Sequence, residues 1–159
     1  MARKIRMGWF SFSCCEDNTV LFAEILNDHF FMVQEKFDII HAKVLQNVNK
    51  WEEMDVAFVE GAIADKEQEE TLNKIRKLSK TVVAIGSCAC TGMPSASRNN
   101  FDENTIHEIR FMKEKFNMLD KVHPLKDLVK VDMEVTGCPM DEGKFLEALT
   151  AIIKMYGDQ

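Results

Sequence analysis

An open, mostly parallel α/β sheet with helices on both faces, a flavodoxin-like layout, is the fold that this sequence predicts. Three observations carry the prediction. Short apolar runs suited to strands alternate with longer stretches of helical periodicity. The runs Met54 to Val59 and Thr81 to Ile85 are apolar almost throughout, as strands buried on both faces are. The chain of 159 residues suffices for one core, and no linker, repeat or low-complexity stretch marks a second unit. Residues 1–159 are read as a single domain. Apolar residues at 46% and charged residues at 29% lie near the globular average, which excludes a disordered tail or a fibrous repeat.

In chain order, Ile5 to Phe10 gives the first strand. Asp17, Asn18 and Thr19 are cap-type residues ahead of Val20, Leu21, Ile25, Leu26 and Phe30, whose spacing places one apolar face on a helix. Phe37 to His41 is the second strand, and Met54 to Val59 the third, ended by Glu60-Gly61. Lys66 to Leu78 carries Leu72, Ile75 and Leu78 on one stripe, and the charges of Lys66 to Glu70 make a solvated face. The β-branched burst Thr81 to Ile85 stops at Gly86. Asn104 to Phe116 is amphipathic through Ile106, Ile109, Met112 and Phe116. Leu128 to Val135 reads as the last strand, Glu142 to Tyr156 as the closing helix, and Cys90 to Asp102 as the longest polar, irregular connection.

Composition narrows the function classes. With 20 Lys and Arg against 26 Asp and Glu, a net charge of −6 does not suggest a basic face for phosphate backbones, so nucleic acid is not an expected partner. No run approaches the ~18 apolar residues of a membrane span, and the start does not read as a signal peptide. The chain is expected in the cytoplasm. In that reducing compartment its five cysteines, at 14, 15, 88, 90 and 138, are not a disulfide framework, and an odd count with an adjacent pair staples poorly. Metal binding is the better expectation. The ten methionines are scattered and read as core filler.

In open α/β sheets, sites form beyond the carboxyl ends of the strands. Cys14 and Cys15 follow the first strand, Cys88 follows the strand ending at Ile85, and Cys138 follows the strand ending near Val135. Four thiolates from three loops are thus expected on one sheet edge, the number a cubane iron–sulfur cluster needs. Taken singly, each cysteine reads equally well as a buried apolar side chain. Zinc is the metal alternative, but a structural zinc site usually shows a CxxC knuckle rather than two adjacent cysteines. Cys90 is surplus to the four and reads as a packing thiol. Gly86, Gly92 and Gly137 are expected to let backbone approach a bulky ligand, and Pro139 to fix the chain direction after Cys138.

Trp9-Phe10 leading to Cys15-Glu16, then Val59-Glu60-Gly61-Ala62-Ile63, Gly86-Ser87-Cys88-Ala89, and Val129-Lys130-Val131-Asp132 leading to Thr136-Gly137-Cys138-Pro139 form an ordered set over nearly the whole chain. It resembles the small subunit of nickel–iron hydrogenases and its relative, the 20 kDa cluster-bearing subunit of respiratory complex I. The resemblance implies that Cys14, Cys15, Cys88 and Cys138 hold one proximal [4Fe-4S] cluster. That cluster would exchange electrons with the NiFe centre of a hydrogenase large subunit. The Val-Glu-Gly-Ala-Ile stretch is similar to the hydrogenase branch. The tandem Cys14-Cys15, with Phe12 where a CxxC would begin, is similar to the complex I branch, whose members pass electrons toward quinone. No cysteine-rich extension follows Gln159. The expected likeness is therefore to short, single-cluster small subunits of cytosolic hydrogenases, which hand electrons to further subunits and are not catalytic alone. Met140 stands where the family usually has a second proline.

Around these ligands, Ser13, Ser87 and Thr136 are expected hydroxyl or amide donors. Glu16 and Glu60 stand at strand ends, as a proton path or partner contact or, more plainly, as loop carboxylates and caps. Arg98 is expected to be solvated, with pairing to a partner carboxylate as the functional option. Trp9 and Phe12 serve either water exclusion or the core. His29, His41, His107 and His123 are not expected ligands, and no Ser/His/Asp triad or phosphate loop is present. A stand-alone flavodoxin-like module for FMN is the rival class, and thiols at the centre of the first loop argue against it.

Overall fold

The computed structural model describes residues 3–157. The chain runs β1 (Ile5–Ser11), α1 (Asp17–Asp28), α2 (Phe30–Lys36), β2 (Phe37–Ala42), β3 (Met54–Glu60), β4 (Ile63–Asp65), α3 (Lys66–Leu78) and β5 (Ser79–Ile85). It continues through α4 (Gly86–Thr91), a 3-10 turn at Ser95–Asn100, α5 (Glu103–Lys115), β6 (Met118–His123), β7 (Met133–Val135) and α6 (Glu142–Tyr156). Five strands form a parallel sheet in the order β2-β1-β3-β5-β7, the open flavodoxin-like arrangement expected from the alternation. β4 and β6 pair antiparallel in a separate two-stranded sheet. Among the described residues no helix is long and apolar enough to cross a membrane.

The strand pattern explains why both faces of the sheet are covered. Successive side chains point to opposite faces. Along β1, β3 and β5, Trp9, Phe58 and Val83 go to one side, while Phe10, Val59 and Val82 go to the other. On the first side Trp9 stacks on Phe22 of α1 at 4.2 Å, and Phe145 of α6 meets both edge-on. On the second, Leu72 and Ile75 of α3 close over the sheet. Each such side chain contributes about 1.5–3 kcal/mol when fully buried. Register then aligns the strand ends: Ser11 pairs with Glu60, Glu60 with Ile85, and Ile85 with Val135. The three cysteine-bearing loops therefore leave the sheet from one level.

Beyond β4 and β6, which the sequence did not predict, four places differ from expectation. The α1 face turned inward is Asn18, Thr19, Phe22 and Ile25, because Phe22 is drawn onto Trp9, while Val20 and Phe30 stay exposed and Phe30 opens a separate helix. The last strand is only Met133–Val135; Leu128, Val129 and Val131 pack half-buried from the connection before it. Gly86 ends β5 but leads straight into α4, so Cys88 stands in a helical turn. The apolar stripe of α5 is not covered: no residue of this helix is buried, and Met112 and Phe116 are exposed.

Candidate metal centre at the carboxyl edge of the sheet

The first loop is locked before it presents its thiols. Phe12 donates its amide to Glu60 O at 2.9 Å, and Ser13 and Ala62 exchange amide–carbonyl bonds at 3.1 and 3.0 Å. This close crossing demands Gly61, at φ +89: a Cβ there would lie 2.7 Å from the Phe12 carbonyl carbon. Cys14 then lies half-buried and Cys15 exposed. Cys88, buried on α4, shares a small-residue cluster with Ala62 and Ala96, against which Cys14 and Ala64 pack. Cys138 is exposed on a tight turn, and that turn is bound on both sides. Ser87 donates its amide to Gly137 O at 2.7 Å, and Met140 donates its amide to Asn18 Oδ1 at 2.8 Å.

The structure thus gathers the three loops, with Cys15 and Cys88 close enough to Cys14 to act on it electrostatically. Among the described residues no group of three or more His, Cys, Asp or Glu side chains is drawn together tightly enough to hold a single metal ion. Burial first, then the Glu60 carboxylate and the neighbouring Cys88 and Cys15, push the Cys14 thiol up to about 12. Cys90 is a packing thiol as expected. Its Sγ donates to the carbonyls of Ala84 and Val135 from within the core, and burial raises it to about 11.

Glu60 is the unusual group here. It is fully buried, its Oε1 accepts from Ser11 Oγ at 2.7 Å and from Thr19 Oγ1, and its Oε2 has no partner. Thr19 in turn accepts from Trp9 Nε1 at 2.8 Å, which makes Trp9 a core residue with a polar anchor. Glu16 is exposed at the N-cap of α1 with φ 63 and makes no side-chain cap bond.

Several expected neighbours act elsewhere. The Ser13 hydroxyl faces Gln68, at 3.1 to 3.2 Å, and Ser87 uses its backbone amide on Gly137. Thr136 serves through its carbonyl, which accepts the Asp141 amide at 3.0 Å. The hydroxyl that does meet a cysteine is Ser95, 3.6 Å from Cys88 Sγ and donating to Ser13 O at 3.0 Å. Arg98, expected to be solvated, is half-buried: its Nη2 donates to Ala64 O and Leu119 O, clamping β4 to β6. Gly86, at φ +78, makes room for Asn18, whose Nδ2 would lie 2.5 Å from a Cβ there, and Gly92 ends α4 in the left-handed conformation. Ser95 and Asn18 were missed because single polar residues outside any periodic pattern carry no signal in a lone sequence.

Residues 14–152 match the family described as NADH ubiquinone oxidoreductase, 20 Kd subunit. The chain belongs to that family. The resemblance read from its motifs is thereby borne out. One relative of this 20 kDa subunit family member is the gamma subunit of coenzyme F420 hydrogenase from Methanosarcina barkeri. It is 34% identical over 149 residues, which cover 87% of this chain and 50% of that one. Another is a component of the F420-non-reducing hydrogenase of Methanothermobacter marburgensis, 26% identical over 170 residues, covering 97% and 55%. The chain spans about half the length of these relatives. The fold superposes on a chain of the NAD+-reducing [NiFe]-hydrogenase in its H2-reduced state with a TM-score of 0.81 at 25% identity, covering 96% of this chain and 93% of that one.

Proposed function

We propose that this chain is the electron-transfer small subunit of a nickel–iron hydrogenase, in which Cys14, Cys15, Cys88 and Cys138 hold one [4Fe-4S] cluster facing a large subunit. The observation that carries the reading is the arrival of four free thiols, on three loops tied together by backbone bonds, at one edge of a sheet that superposes end to end on a hydrogenase chain. The donor set suits the group. Soft thiolate donors favour iron–sulfur or zinc, and the adjacent pair Cys14 and Cys15 lacks the CxxC knuckle that a structural zinc site usually shows. When bound, such a cluster supplies one-electron transfer at a potential set by charge, hydrogen bonds to sulfur and solvent exposure.

The chain's own residues then have definite tasks. Cys14, half-buried beside Glu60, holds its proton more tightly than an ordinary thiol, so binding a metal centre there would release a proton. The Trp9–Thr19–Glu60–Ser11 bonds hold the start of α1 against β1 and β3. Cys15 and Cys138, both exposed, mark the face that the large subunit would cover. Tandem cysteines, together with the family's own description, favour a second reading in which the same edge passes electrons toward quinone.

Anaerobic purification followed by iron and acid-labile sulfide analysis tests the first reading, with roughly four of each per chain as the expected result. A chain that takes up no iron, with all four thiols open to alkylation, would remove it. Nickel in a copurifying large subunit decides for the hydrogenase branch, and a large subunit without nickel decides for the quinone branch.

A further inference from the structure

The turn that follows α4 is tied down on both sides of Ser95. Gly92 donates its amide to Cys88 O at 2.9 Å and accepts the Ala96 amide at 2.7 Å, which folds the chain back over α4. Further on, the Asn99 side chain bonds to both the amide and the carbonyl of Val122, at 2.8 and 2.9 Å. The backbone thus fixes where the Ser95 side chain stands. Its Oγ lies 3.0 Å from Ser13 O and 3.6 Å from Cys88 Sγ, so one oxygen reaches the carbonyl beside Cys14 and the thiol of α4 together. A hydroxyl carries one proton and serves one acceptor at a time. Cys88 is buried, where a hydrogen bond is electrostatically stronger than in water.

We propose that Ser95 tunes the group held by the cysteines: its hydroxyl donates to Ser13 O in the iron-free chain and turns to donate to Cys88 Sγ once that sulfur ligates metal. The inference rests on the functional reading above. A sulfur bound to metal has given up its own proton and is left as an acceptor, and the change of partner moves only the hydroxyl hydrogen, since both acceptors already stand around one oxygen. A donor to sulfur stabilises the more negative, reduced state and so raises the reduction potential. Removing it lowers the potential without removing a ligand.

Two variants of the same turn separate tuning from structure. Ser95→Ala removes the hydroxyl that reaches sulfur, whereas Ser97→Ala removes one that donates to Pro94 O at 2.6 Å. In the anaerobically purified protein both are expected to load iron like the wild type. S95A should shift the reduction equilibrium about three- to tenfold toward the oxidised form, tenfold being about 59 mV for a one-electron couple, and S97A should not shift it. Electron–nuclear double resonance of the reduced protein, compared in H2O and D2O, gives a direct readout: an exchangeable proton coupling present in the wild type and S97A should be missing from S95A. A merely structural role leaves the potential of S95A unmoved or moves it equally in S97A. Either result, an S95A chain that takes up no iron, or a proton spectrum that S95A leaves unchanged overturns the inference while the cluster assignment stands. A wild type that takes up no iron instead sinks the cluster assignment, and the inference with it.

Discussion

At the amino-terminal edge of the parallel sheet the buried charge of Asp55 is fully paired, whereas at the carboxyl edge buried polar groups are left open. Asp55, with its side chain 1% exposed, accepts from Arg3 at 2.6 Å, Lys80 at 2.8 Å and the Arg6 amide at 3.0 Å. Burial alone would raise its carboxyl, but these hydrogen bonds outweigh burial and hold it below the usual range. Sixteen ångströms or so up β3, at ~3.3 Å per residue for five residues, Glu60 is as deeply buried with one oxygen unpartnered, and four free cysteines stand on the loops around it. One strand thus joins a satisfied end to an unsatisfied one. The satisfied end serves stability, and the unsatisfied end is where the chain keeps its capacity to bind.

The largest test of that contrast is to exchange a ligand for a residue of similar size. Cys15→Ser and Cys138→Ser are expected to abolish most iron uptake. Both positions are exposed, so unfolding free energy of the iron-free chain should stay within about 0.5 kcal/mol of wild type in denaturant titrations. Asp55→Ala should behave in the opposite way. It strands the Arg6 amide and costs about 1–3 kcal/mol of stability, while the protein that remains folded binds iron normally. The pH dependence follows from the depressed carboxyl. The Asp55 contribution is present above the ordinary carboxylate value of 3.8 and is lost as pH falls through the lower folded-state value, so wild type and variant should converge on acidification. A Cys138→Ser chain that unfolds, or an Asp55→Ala chain that stays stable, would erase the distinction.

The thiols themselves offer a finer test. With its thiol pushed up to about 12, from an ordinary 9.0, Cys14 has on the order of a thousandfold less thiolate than an unperturbed cysteine at pH 8. Greater intrinsic nucleophilicity recovers part of this, leaving alkylation about thirtyfold slower. The deficit should close as pH rises toward 12. Mass spectrometry after brief iodoacetamide treatment of the iron-free chain should find Cys15 modified well before Cys14. Equal rates at pH 8 would mean that burial and charge at this edge do not govern Cys14.

Legibility in the sequence divides along the same line. β1, β3, β5, α3 and α6 were readable because strands buried on both faces are unbroken apolar runs and the helices that cover them carry one apolar stripe. The placement of cysteines after strand ends was readable for the same reason. β6 was not, since only Val122 of Met118–His123 is buried and no alternation emerges from six residues that pair with a three-residue strand. The α5 stripe misled because periodicity reports an apolar face without reporting what, if anything, covers it. At the site, the thiols announced themselves by chemistry, while the residues that position them, Asn18, Ser95 and Gln68, are polar singletons whose meaning depends on loops distant in sequence.

The smallest expected effect isolates the charge of Glu60 from its shape. Glu60→Gln keeps an oxygen to accept from Ser11 and Thr19, and it places the new amide nitrogen where Oε2 now has no partner. The packing of α1 on β3 should therefore survive, and near-ultraviolet circular dichroism of the Trp9 environment should not change. What changes is the charge. Burial is the larger cause of the raised Cys14 thiol and the Glu60 carboxylate the second, so removing the charge lowers the Cys14 value without restoring it to 9.0. Alkylation of Cys14 at pH 8 should accelerate by about two- to fivefold, as expected for a partial return along the same reactivity slope, while Cys15 keeps its rate. An unchanged Cys14 rate would assign the whole shift to burial. A change in both rates would show that the loop had moved, and the two ends of β3 would then differ in rigidity as well as in charge pairing.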